Sequence, residues 1–167
     1  MKASTAAVLG VAGFAAFHLL KPKAQLIAGV SDTANGVSLP YYPRKVNDLA
    51  SAIARAEGFY VPGSIPQLAK NPGNLKSPTW TYAGEREGQT LGSGIVVFQT
   101  ADAGWAALKR QLMLIISGES NVYSLAMTIR QMGTTWTGNA TEGAAWSNNV
   151  ALAFGVNPDT PLAQALA

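Results

Sequence analysis

Apolar residues recur at helical spacing along most of the chain after residue 44. From Val46 to Ala56 the apolar positions are three, four or seven residues apart, which predicts an amphipathic helix. The same spacing predicts four further helices: one that starts after Thr100 and ends before Gly118, one from about 120 to 133, one over about 143–154, and a short one opened by Thr160-Pro161.

The pattern changes between the first two helices. Residues 71–99 are rich in Gly, Pro and Asn, and the stretches 79–82 and 95–99 have the β-branched and aromatic content of strands. A turn region over 84–94 joins them. One small hairpin among helices predicts an α+β fold that is mostly helical.

The N-terminal stretch has a different character. Residues 3–20 carry no charge and lie between Lys2 and Lys21-Pro22-Lys23. As a helix this stretch would be about 27 Å long, close to the hydrocarbon thickness of a bilayer. We expect a single transmembrane helix that is retained as an anchor, because no A-x-A cleavage site follows it. The alternative is a cleaved signal, which would leave the protein secreted or periplasmic.

These patterns divide the chain into three parts. Residues 1–23 are the expected membrane segment. Residues 24–44 have the Gly, Ser and Asn content of a linker and end near Pro40 and Pro43. Residues 45–167 form one domain of about 120 residues, which is enough for a single hydrophobic core.

Charge and composition exclude several kinds of function. Lys2, Lys21 and Lys23 belong to the N-terminal part, so nine of the 12 Lys and Arg remain after residue 23, against nine Asp and Glu. This neutral remainder argues against a nucleic-acid partner. With no Cys and only His18, thiol chemistry, histidine catalysis and most metal sites are excluded. We expect no metal and no cofactor, and carboxylates are the groups left for proton chemistry.

Glu57 is the carboxylate with the most distinctive position. It lies four residues after Ile53 and eleven after Val46, which places it on the apolar face of the first helix near the C-terminal end. Loss of solvation and the negative end of the helix dipole both raise the pKa of a carboxyl group there. A protonated carboxyl group is what a general acid needs. The alternative is a last-turn residue that faces water.

Several motifs occur in a characteristic order along residues 46–163. They are Glu57-Gly58-Phe59, then Asn71-Pro72-Gly73-Asn74, a Gly-rich hairpin, Val97-Phe98-Gln99-Thr100, Ala103-Gly104-Trp105-Ala106-Ala107-Leu108, and the tail from Trp146 to Leu162. This order resembles the lysozyme-like superfamily, in particular the phage and bacterial muralytic domains that carry an Asn-Pro-Gly-Asn motif. The resemblance implies a lysozyme-like domain that cleaves the MurNAc-GlcNAc β-1,4 bond of peptidoglycan.

The resemblance also implies a mechanism in which Glu57 is the catalytic acid. In lytic transglycosylases one Glu suffices, because the N-acetyl group or 6-hydroxyl of the sugar is the nucleophile, and we favour this type over a hydrolase. A second carboxylate is usual in glycosidases. Glu85 and Glu87 are the candidates, although their Gly-flanked position is typical of a solvated turn; Glu87 is kept as a weak catalytic candidate.

Four further residues are candidates for binding the glycan strand. Asn71 and Asn74 either line the cleft or simply form a turn. Gln99 could reach an N-acetyl group, although a polar residue at a strand end is common. Among the tryptophans, Trp136 is expected in a loop and could stack on a sugar ring, whereas the others, Trp146 included, are expected mostly in the core.

An anchored muralytic domain suits two settings, a bacterial envelope or the internal membrane of a phage virion. In either one the expected partners are peptidoglycan, the membrane and other envelope or virion membrane proteins. The alternative function is a catalytically inactive protein that binds peptidoglycan or has a structural role.

Overall fold

The computed structural model describes residues 32–34, 37–39, 44–76 and 82–167. Its elements are β1 (Asp32–Ala34), β2 (Val37–Leu39), α1 (Arg44–Ala56), α2 (Ile65–Leu68), β3 (Glu85–Leu91), β4 (Ile95–Phe98), α3 (Ala101–Ile116), α4 (Ile129–Thr137), α5 (Ala140–Phe154) and α6 (Leu162–Ala165). The described chain is mostly helical with small antiparallel β-structure, as an α+β fold requires. None of its helices is long and apolar enough to cross a membrane, and the predicted span over 3–20 lies outside the described residues.

Three helices form where the pattern predicts them. On α1 the buried face includes Val46, Leu49 and Ile53. The start of α3 is fixed by Thr100, whose hydroxyl oxygen accepts a hydrogen bond from the Ala103 N–H at 3.1 Å. The fourth predicted helix is α5; it begins three residues earlier than expected and, as expected, ends at a left-handed glycine.

The predicted helix over 120–133 is wrong in its bounds. The Ser120 hydroxyl accepts the backbone N–H groups of residues 122 and 123, which stabilises a local turn there instead of a helix. The helix α4 starts only after Thr128, which forms a capping box with Gln131. It continues past Gly133 to Thr137 and is capped by Gly138, so Trp136 lies on a helix and not in a loop. Similarly, Pro161 and not Thr160 is the cap residue of α6.

The hairpin also differs from the prediction. The segment expected to be a turn forms β3, which pairs with β4 from Glu85 opposite Phe98 to Leu91 opposite Ile95 with an irregularity between them. A bridge from Lys76 to Ile95 adds a further rung. Most described side chains of β3 are exposed, so its sequence is polar and lacks the apolar pattern that would predict a strand. Residues 79–81 of the predicted strand 79–82 lie outside the described part, and Tyr82 is not in a strand.

One helical core and one smaller cluster hold these elements together. In the core, α1 packs against α3 and α5, and α5 also packs along α4. The smaller cluster lies behind the hairpin and contains Leu75, Tyr82, Val96, Phe98 and Ala107. In the chain, the loop from Asn71 to Asn74 follows α2 and precedes the hairpin. The C-terminal end of α1 comes shortly before this loop.

Candidate active site

Glu57 directly follows the last residue of α1, and its N–H still donates to the Ile53 carbonyl at 2.9 Å. Beyond it, Gly58 takes the left-handed conformation with a φ of 77°. The Gly58 N–H donates to the Arg55 carbonyl at 3.0 Å, and the Phe59 N–H donates to the Ala54 carbonyl at 2.9 Å. This pair of bonds is a Schellman motif, for which glycine is the favoured residue because it has no Cβ to oppose a positive φ. The motif fixes the backbone of Glu57 in the last helical turn.

The carboxyl group of Glu57 is held by an indole. Trp146 Nε1–H donates to Glu57 Oε1 at 2.7 Å. Burial raises the pKa of Glu57 above its usual value, while hydrogen bonds from Trp146, Asn74 and Trp136 oppose the rise by favouring the ionised form. Because burial is the larger effect, the pKa of Glu57 is raised, in the direction that its apolar spacing predicts. The carboxyl group therefore retains its proton to a higher pH than an exposed glutamate.

Three aromatic rings surround this carboxyl group. Trp136 stacks on Trp146, with ring centroids 5.6 Å apart and planes inclined by 26°. Tyr123 packs on Trp136 at 5.9 Å. Burial raises the pKa of Tyr123, and the nearby charges of Tyr82 and Glu57 raise it further, so its phenol is neutral. The surroundings of Glu57 are therefore mainly aromatic, and the indole N–H groups supply polar contacts.

The two tryptophans meet because α4 and α5 approach closely. A Cβ on Gly133 would lie 2.6 Å from the carbonyl oxygen of Gly143, and one on Gly143 would lie 2.6 Å from the Cα of Thr134. Real Cβ atoms do not come so close, so only glycine fits at either position. The Ser147 hydroxyl donates to the Gly143 carbonyl beside this crossing. The crossing brings Trp136 and Trp146 into contact.

The two asparagines of the Asn-Pro-Gly-Asn motif have different environments. Asn71 is 0% exposed, and its Nδ2 donates to the carbonyls of Leu75 and Val96 at 2.9 and 3.0 Å. Its Oδ1 accepts the Leu75 N–H at 2.9 Å. Both Nδ2 protons and Oδ1 are therefore used to join the loop to β4. This placement favours the turn-forming role over contact with a ligand.

Asn74, in contrast, lies beside Glu57. It has a φ of 50°, which asparagine tolerates better than most residues. Its side chain is one of the hydrogen-bond partners that lower the pKa of Glu57. Its Oδ1 is buried without a hydrogen-bond partner. A buried acceptor without a donor is costly to the folded state.

The remaining candidates lie at the base of the hairpin. Gln99 Nε2 donates to the Glu85 carbonyl at 3.4 Å, and Lys70 Nζ donates to the Gln99 carbonyl at 2.7 Å. The carboxylate of Glu85 accepts the Tyr82 N–H at 2.8 Å, so it caps a turn. None of these bonds includes Glu57. The side chain of Glu87 lies outside the described part of the structure.

The structure thus brings together three of the predicted site residues, Glu57, Asn74 and Trp136. It adds two that the sequence did not mark as neighbours of Glu57, namely Trp146 and Tyr123. Trp146 was expected to be a core residue, and its spacing gives no sign of a hydrogen bond to a carboxylate on another helix. Tyr123 was expected within a helix. The sequence pointed to Glu57 through its spacing on the apolar face of the first helix and through the order of motifs along residues 46–163.

The assembled group can donate and accept a proton within an aromatic environment. The raised pKa of Glu57 favours its protonated form, which can donate, and the indole and amide N–H groups around it stabilise the carboxylate. Comparison of the chain with models of protein families, with curated proteins and with solved structures gave no match.

Proposed function

We propose that the protein cleaves the glycan strand of peptidoglycan, with Glu57 as its general acid. The observation that carries the proposal is the Glu57 carboxyl group, buried so that its pKa is raised and held by the Trp146 indole at 2.7 Å. A carboxyl group kept protonated near neutral pH can protonate the oxygen of a glycosidic bond. The resemblance of residues 46–163 to muralytic domains supplies the substrate class.

The proposed reaction uses one carboxyl group twice. Glu57 gives its proton to the glycosidic oxygen as the bond from C1 of MurNAc to that oxygen breaks. The resulting carboxylate then takes the proton of the 6-hydroxyl of the same MurNAc, whose oxygen bonds to C1 and closes a 1,6-anhydro ring. No water is consumed. Glu85, one of the two candidates for a second carboxylate, caps a turn by accepting the Tyr82 N–H, which favours this route over one that needs two carboxylates.

The proposed location of the enzyme at a membrane is based on the N-terminal part of the chain. The uncharged stretch 3–20 between lysines would anchor the domain in a bilayer. We propose that the enzyme works next to a membrane, in a virion or in a bacterial envelope. There it would open peptidoglycan locally, because an anchored domain reaches only the glycan strands near its membrane.

The test is digestion of purified peptidoglycan by the full chain in mild detergent, with mass spectrometry of the released fragments. We expect muropeptides with anhydro ends, and we expect Glu57→Gln to abolish their release while circular dichroism stays unchanged. Glu142→Gln, on the exposed N-terminal turn of α5, is the matched control and should retain full release. Fragments with reducing ends would identify a hydrolase. Sedimentation with peptidoglycan without fragments would instead indicate an inactive binding protein.

A further inference from the structure

Trp146 is a fixed hydrogen-bond donor to the carboxyl group of Glu57. Its Nε1–H donates to Oε1 at 2.7 Å. An indole nitrogen can donate a hydrogen bond and cannot accept one, so this contact has only one direction. The side chains of Asn74 and Trp136 are further hydrogen-bond partners of the same carboxyl group. The bond from Trp146 therefore constrains the orientation of the carboxyl group.

The indole of Trp146 has little freedom to leave this position. The residue is only 6% exposed, and Trp136 stacks on one face of its ring. Trp136 is held in turn by Tyr123 at 5.9 Å. The helices α4 and α5 are in close contact at Gly133 and Gly143, so moving them apart would cost packing. The three rings therefore form a rigid support behind the Glu57 carboxyl group.

We propose that Trp146 is a positioning residue that fixes the orientation of the Glu57 carboxyl group, and that Trp136 holds the Trp146 indole in place for this purpose. The inference rests on the proposed function for its catalytic meaning, because the orientation of the carboxyl group sets the direction in which the acid donates its proton. Trp136 then supports the acid and is not a platform for a sugar ring. The contact between Trp146 and Glu57 can be measured without any substrate.

The first experiment follows the indole N–H resonances of the full chain, labelled with ¹⁵N at tryptophan, as the pH is raised. A carboxylate accepts a stronger hydrogen bond than a neutral carboxyl group. The Trp146 indole proton should therefore move downfield as Glu57 ionises, with the same midpoint as the Glu57 carboxyl carbon. Trp105, which packs edge-on against Phe59, is a control within the same spectrum and should not follow this midpoint. In Glu57→Gln the Trp146 resonance should no longer titrate.

The second experiment compares two substitutions that each replace an indole by a benzene ring. Trp146→Phe removes the donor to Oε1, so the acid dissociation constant of Glu57 should decrease about threefold to tenfold. Trp105→Phe should leave it unchanged. Trp136→Leu removes the stacked ring, and the titration of the Trp146 resonance should then become smaller because the indole is no longer held against Oε1.

Two results would overturn the inference. One is a Trp146 resonance that stays constant while the Glu57 carboxyl carbon titrates. The other is a dissociation constant of Glu57 that is the same in Trp146→Phe and Trp105→Phe. The first measurement needs no substitution in the aromatic group, so it applies even if the variants unfold. A chain that shows the titration without cleaving peptidoglycan would support the positioning role and contradict only the proposed function.

Discussion

At the scale of single residues, burial and hydrogen bonding act on Glu57 in opposite directions. Burial raises its pKa, and three N–H donors lower it by a smaller amount. A substrate or a substitution that changes the burial of Glu57 or one of its hydrogen bonds should therefore change the pKa of Glu57. The same balance affects stability, because a carboxyl group whose pKa is raised by folding binds its proton more tightly in the folded state than in the unfolded state.

Glu57→Gln should therefore stabilise the folded protein at neutral pH. With a raised folded-state pKa, the native protein loses stability as the pH rises from the unfolded value near 4.5 through the folded one. Glutamine is neutral throughout and can still accept the Trp146 N–H. We expect a melting temperature a few degrees higher at pH 7 and no difference at pH 4, measured by calorimetry on the full chain. Glu142→Gln removes a charge from the first turn of α5 and should not raise the melting temperature at pH 7. Equal melting temperatures of Glu57→Gln and the parent at pH 7 would contradict the prediction.

The two asparagines should respond differently to substitution. Asn71→Leu removes three hydrogen bonds and leaves buried backbone groups of residues 75 and 96 without these partners. The cost should be about 2–4 kcal/mol in the free energy of unfolding, measured with urea. Asn74→Gly keeps the positive φ of that position, so its cost should be well below that of Asn71→Leu, while the pKa of Glu57 should rise. A stable Asn71→Leu variant would show that the loop does not depend on these bonds.

At the scale of helices and strands, the sequence predicts the elements that have a continuous apolar face. The stripe on α1 and the caps of α3 and α5 are local signals, so these helices form close to the predicted positions. The segment 120–128 misleads because Leu125 lies four residues before Ile129 and seven before Met132, as on one helix face, whereas the Ser120 hydroxyl favours a turn. The strand β3 was not predicted because it has few apolar residues.

The Schellman motif that ends α1 should control the position of Glu57. Gly58→Ala adds a Cβ whose nearest neighbour, a Val61 methyl group, is 3.8 Å away, so the cost comes from the φ of 77° and not from a clash. We expect a loss of about 1–2 kcal/mol in stability, together with a change in the ionisation of Glu57. Gly63→Ala is the matched control, with a φ of 78° and open space. It should cost a similar amount and leave the Glu57 titration, followed by NMR, unchanged.

At the scale of the whole molecule, the candidate site is built from residues far apart in the chain. Glu57 and Trp146 are 89 residues apart, and Asn74 and Trp136 come from two further segments. The spacing of α1 marked Glu57 as a candidate, because this signal lies within one helix, but it left open a last-turn residue that faces water. The indole donor could not be identified in this way, since its position depends on how α4 and α5 cross and how α5 packs on α1.

The crossing of α4 and α5 should therefore matter for both the fold and the site. Gly133→Ala places a Cβ 2.6 Å from the Gly143 carbonyl oxygen and against the Ser147 hydroxyl, so the two helices must move apart. Such overpacking should lower the free energy of unfolding by about 1–3 kcal/mol. Because Trp136 and Trp146 lie on the separated helices, their near-ultraviolet circular dichroism should weaken and the Trp146 resonance should lose its dependence on Glu57 ionisation.

Gly155→Ala separates this effect from a general loss of stability. It lies at the end of α5 with a φ of 80°, and an added Cβ would have nothing within 4 Å, so an alanine there strains only the backbone. We expect it to lower the melting temperature while the near-ultraviolet signal and the Trp146 titration remain as in the parent chain. If Gly133→Ala also retained both signals, the stacked tryptophans would not depend on the close approach of the two helices, and the support of the Glu57 carboxyl group would have to come from α5 and α1 alone.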